Sequence, residues 1–62
     1  MKAIGTASDF REQGRNAFSL FGYYAHNPYV WREDRCAYAN WQEGFTQSKY
    51  AADWARRHGE AA

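Results

Sequence analysis

The chain of 62 residues has one cysteine, Cys36, and one proline, Pro28. A lone cysteine excludes an internal disulfide, so packing and hydrogen bonding must hold the fold. One Val, one Ile and one Leu leave few of the branched aliphatics that favour strands, and no segment alternates with period two. No β-sheet is expected. Lys and Arg number 8 against 7 Asp and Glu, so the basic excess that accompanies tight phosphate-backbone binding is missing. No apolar run approaches the ~20 residues of a membrane span, and no membrane association is expected. Met1 to Gly5 has one lysine and no hydrophobic region, which reads as no secretory signal and a cytoplasmic chain.

Catalytic constellations are missing too. There is no Gly-rich phosphate loop, because Gly14 and Gly22 are too far apart and fall within a helical pattern. His26, Cys36 and His58 are not spaced as any zinc motif, so neither a metal nor a cofactor is expected. His26 reads as a turn residue and His58 as a helix C-terminal cap, while Cys36 has no identifiable orienting partner for nucleophilic chemistry. Glu33, Asp34 and Glu43 read as helix-start and solvated acids. The expectation is a protein without enzymatic activity and without a small-molecule substrate.

What is abundant is aromatic: three Trp, five Tyr and four Phe. Large rings give a short chain the most buried area per position, and any left outside serve as docking or stacking surfaces. A chain this short buries only about 60% of its unfolded surface, so a partner or a homodimer is a live expectation. Residues 1–6 read as a loose arm. Thr6-Ala7-Ser8-Asp9 has capping-box spacing, and Phe10, Gly14, Ala17, Phe18 and Phe21 recur at helical intervals, which predicts helix one over 7–25. Leu20 and Tyr23 widen its apolar face. Pro28 drives its predecessor out of helical geometry, so 26–31 is read as a hinge. Helix two is predicted over 32–58, with a stripe of Ala37, Tyr38, Trp41, Gly44, Phe45 and Ser48 and a basic close at Arg56, Arg57 and His58.

The fold class expected is all-α, a single antiparallel two-helix hairpin with a Pro-containing hinge. Counting outward from the hinge sets Gly14 level with Gly44, Ala17 opposite Trp41 and Phe21 opposite Ala37. Two mid-helix glycines at one level point to a close backbone crossing that offsets their propensity cost of roughly 0.5–1 kcal/mol. Helix two outruns helix one by roughly 12 Å, which leaves Tyr50 and Trp54 on an apolar strip for a partner, most simply a second copy. The competing expectation is that the arm folds back and lays Ile4 over Trp54.

Gly14, Ala17, Asn27-Pro28-Tyr29 and Trp41-Gln42-Glu43-Gly44-Phe45 together resemble the ribosome modulation factor (Rmf/CrpP-like) family. That pattern is a glycine with a small residue three later, a Cys- or Asn-Pro-Tyr turn, then Trp-x-x-Gly and an aromatic. It spans about residues 10–50, with a longer stretch from Pro28 to Trp41 than the family has. The resemblance implies a two-helix protein of bacterial or phage type that binds the small ribosomal subunit. Family members are strongly basic, and this chain at net +1 is not.

Two function classes follow. In one, the protein binds the ribosome or ribosomal RNA and modulates translation, with Arg11, Arg15, Arg32 and Arg35 approaching phosphates while Tyr29 or Trp31 stacks on a base. In the other it is a protein-binding or inhibitory module with no nucleic-acid role, presenting spare aromatics such as Tyr50 and Trp54.

Overall fold

The structure, a computed structural model, describes residues 4–59, so Met1 to Ala3 of the expected arm lie outside the described residues. Two α-helices, α1 (Ala7–Phe21) and α2 (Arg35–Gly59), pack along one another, and no strand occurs among the described residues. The all-α, two-helix class is the one expected.

Thr6 starts α1 through the full capping box: its hydroxyl accepts from the Asp9 amide at 3.2 Å, and the Asp9 carboxylate accepts from the Thr6 amide at 3.0 Å. Two of the helix's unpaired donors are satisfied reciprocally. Thr6→Ala is expected to lower stability by about 1 kcal/mol, read as a fall in the thermal midpoint of far-UV circular dichroism. The other end departs from expectation. Helix one stops at Phe21, not at 25, because Gly22 adopts φ 63° and ψ −140°, a conformation L side chains rarely take, while its amide donates back to the Phe18 carbonyl. A single 3₁₀ turn, Gly22–Tyr24, follows.

The connection is longer than the expected hinge and runs over 25–34. Asn27 pins it: the side-chain amide donates to the Tyr38 carbonyl at 3.0 Å and lies 3.4 Å from the Gln42 side-chain oxygen. Its own oxygen accepts from the Tyr29 amide at 3.0 Å, closing an Asx turn around Pro28. The Glu33 and Asp34 amides then both donate to the Val30 carbonyl, at 3.0 and 2.9 Å. Helix two therefore begins at Arg35, not at 32. Asp34, expected in its first turn, is instead its cap: the buried carboxylate accepts from the Ala37 amide at 3.1 Å.

The direction of α2 is the main correction to the expected hairpin. Moving up α1, Arg11 meets Asn40, Arg15 meets Gln47, and Tyr23, just past the helix end, meets Asp53 and Arg56. Partners climb together, so the helices run parallel; in an antiparallel pair the partner numbers would fall. The connection makes this possible, since ten residues of extended chain reach about 33 Å and α1 is only about 22 Å long. Tyr29, halfway along it, sits back beside the start of α1, with its ring edge-on to Phe10 at 5.3 Å and its hydroxyl donating to Gln13.

Gly14 and Gly44 do lie in one close crossing, as expected, although the antiparallel count that paired them does not apply to helices that run parallel. A Cβ on Gly14 would lie 2.0 Å from the Trp41 carbonyl oxygen, and one on Gly44 would lie 1.9 Å from that of Arg11. The helices touch backbone to backbone there. Of the other two expected pairings, Ala17 and Trp41 line one groove, whereas Phe21 is exposed instead of covering Ala37. Phe10, Ala37 and Trp41, at 2%, 0% and 3% exposure, form the small core around the crossing.

Candidate binding surfaces

The six residues expected to face RNA are divided between two flanks of α2. Arg11 donates to the Asn40 side chain at 3.1 Å and lies 3.9 Å from the Glu43 carboxylate; Arg15 lies 3.4 Å from the Gln47 oxygen. Trp31 packs edge-on to Tyr38 at 5.6 Å and carries the Arg35 guanidinium over its ring at 5.3 Å. Tyr38 and Asn40 are two positions apart on one helix, and therefore about 200° apart around its axis. Arg11 and Arg15 thus border one flank, while Trp31 and Arg35 border the other beside exposed Arg32. Tyr29 holds the connector, its hydroxyl and one ring contact both spent on α1.

A groove of about 410 Å³ opens where the start of the connector leaves α1, lined by Ala17, Phe21, Tyr24, Ala25, His26, Pro28 and Trp41. Of these, Phe21 and Tyr24 are exposed. Sequence reasoning missed this groove, reading His26 only as a turn residue. A signal for it exists: Leu20 to Tyr24 has four large apolar side chains around one glycine, more than a single buried helix face can hold.

Beyond the end of α1, Tyr23 reaches back to α2. Its hydroxyl donates to the Asp53 carboxylate, Arg56 donates to the Tyr23 hydroxyl oxygen at 3.5 Å, and the Lys49 ammonium sits 6.0 Å from the ring centre. That hydrogen bond to Asp53 holds the phenol above its usual value of 10.0, with desolvation and the Asp53 charge adding and Arg56 opposing. Because the folded value is the raised one, the contribution is complete below the unfolded pKa and is lost as pH rises through the folded one. Stability is expected to fall faster above pH ~10 in the wild type than in Tyr23→Phe, measured as the urea midpoint across that range.

Tyr50 and Trp54, each 64% exposed, stand on the α2 stripe that continues from Glu43 and Gln47, and Trp54 stacks on His58 at 3.9 Å. They are uncovered, but not on the expected overhang, since Tyr23 just past α1 meets Asp53 and Arg56 and the end of α1 is therefore level with them. Ile4 is 99% exposed and does not lie over Trp54, against the competing expectation. Cys36 is exposed, with Asn40 donating to its carbonyl at 2.8 Å. No group of three or more His, Cys, Asp or Glu is placed to hold a metal among the described residues. No helix among them is long and apolar enough to cross a membrane.

These features define a small two-helix protein with several uncovered aromatic surfaces. Compared with protein-family models, curated proteins and solved structures, the chain matches none.

Proposed function

We propose that this chain is a binding protein of the ribosome modulation type, which docks on ribosomal RNA through the corner where the connector enters α2. The observation that supports it most is the Trp31 corner, where the indole is 48% exposed and has Arg35 over its ring and Arg32 beside it. A base can stack on the ring while two cations approach phosphates. The residues behind the family resemblance also support a shared frame: Gly14 and Gly44 make the crossing, Trp41 fills the core, and Asn27 and Tyr29 pin the connector. Arg11 and Arg15 are engaged within the fold, so binding is expected to be weak and salt-sensitive.

The test is affinity capture from a bacterial lysate at two salt concentrations, with and without nuclease, using the wild type and Arg32→Glu/Arg35→Glu. Ribosomal material should copurify at low salt and be lost at high salt and in the variant, whose circular dichroism stays unchanged. Ribosomes retained by the variant would move the site away from this corner.

A second reading, a protein-docking or inhibitory module with no nucleic-acid role, draws its support from the groove and its exposed Phe21 and Tyr24. A salt-tolerant, nuclease-resistant protein partner lost on Tyr24→Ala would favour it.

A further inference from the structure

We infer that the outer face of α2 pairs with the same face of a second copy, the two helices running antiparallel across a two-fold axis at Tyr50. Glu43, Tyr50 and Arg57 are spaced seven apart, and a seven-residue step turns a helix by only about −20°. The three therefore form one row along α2, and all three are exposed. Within its own chain Glu43 lies 3.9 Å from the Arg11 guanidinium and accepts from the Gln47 side chain at 3.5 Å, and its side chain is still 52% exposed, open to a base from a second copy.

The charge order along the row is what selects a second copy as the occupant. An acid stands about 10.5 Å to one side of Tyr50 and a base about 10.5 Å to the other. A two-fold axis through Tyr50 reverses the partner's row, so Glu43 of each copy faces Arg57 of the other, twice. A parallel pairing would oppose like charges. Trp54 then falls opposite Thr46 of the partner copy, where a ring already ordered against His58 meets a small, half-buried side chain. The α2 macrodipoles align favourably, and the contact is isologous, the commonest way two copies close on each other. This surface is separate from both the groove and the Trp31 corner, so the inference goes beyond the two readings above and does not depend on ribosome binding.

The experiment is sedimentation of the purified full chain from micromolar to millimolar concentration at low salt, with no RNA present. Wild type should dimerise, and Glu43→Lys and Arg57→Glu should each weaken it at least about tenfold, since two attractions become two repulsions. An equimolar mixture of those two variants should recover the dimer. In the mixed pair the new lysine of one chain meets the new glutamate of the other, and the native Arg57 meets the native Glu43. The doubly exchanged Glu43→Lys/Arg57→Glu chain should recover it as well, and it carries the test if one single variant folds poorly. A wild type that stays monomeric throughout, or a dimer indifferent to these exchanges, would overturn the inference. Arg32 and Arg35 are untouched, so either result leaves the ribosomal reading to its own test.

Discussion

Replacing Gly44 with alanine is expected to lower the melting temperature by roughly 10 °C, the product of the overpacking cost and the small size of the domain, although alanine is the better helix former. Propensity alone would stabilise by about 0.5–1 kcal/mol. Against it stands a Cβ 1.9 Å from the Arg11 carbonyl oxygen, a backbone atom that cannot swing away. The helices must separate, and overpacking of this kind costs typically ~1–3 kcal/mol or more. For a domain of this size each kcal/mol moves the midpoint by about 4–8 °C. Gly14→Ala should behave similarly, since its Cβ would lie 2.0 Å from the Trp41 carbonyl oxygen. The double variant should lose less than the sum, because both changes push the same crossing apart. Gly59→Ala, with nothing within 4 Å of its Cβ, is the control and should not lose stability. A Gly44→Ala protein that melts at or above the wild-type temperature would mean that the helices do not touch there.

Trp41→Ala is expected to leave no cooperatively folded protein at room temperature. Trp41 is 3% exposed, stacks on Phe45 at 5.4 Å with the rings 9° from parallel, and forms a wall of the groove. Truncating a buried aromatic costs about 3–5 kcal/mol, as much as a core this small is expected to supply in total. The variant should lose its near-UV circular dichroism and unfold without a sharp transition, while Trp41→Phe keeps a reduced midpoint. Cooperative melting of Trp41→Ala within a few degrees of wild type would show that the core lies elsewhere.

Features are legible in the sequence where their chemistry is local. The Thr6–Asp9 capping box can be read directly because both partners lie within one turn and their residue types have few other uses. Gly22 reads as a continuation of α1 but ends it, since a glycine in an apolar run looks the same either way; only its φ of 63° separates the two. Asp34 reads as first-turn but is the cap of α2, a slip of the size helix boundaries allow. Of the expected site residues, Trp31, Tyr50 and Trp54 are exposed, whereas Tyr29 is held by Phe10 and Gln13 and Arg11 by Asn40. A periodic stripe cannot say which rings the connector will cover.

The sequence by itself determined that there are two helices and no sheet among the described residues, where α1 starts, and that Gly14 and Gly44 mark faces suited to close approach. Each of these follows from neighbours along one helix, or from the need to offset the propensity cost of a glycine inside it. Tertiary structure alone decided the direction of α2. Stripes at helical spacing are the same read either way, and a proline marks a turn without stating how far the chain travels after it. The decision lies in contacts across the fold: Asn27 on Tyr38 and Tyr29 on Phe10 draw the connector back along α1, and α2 then sets out parallel to it.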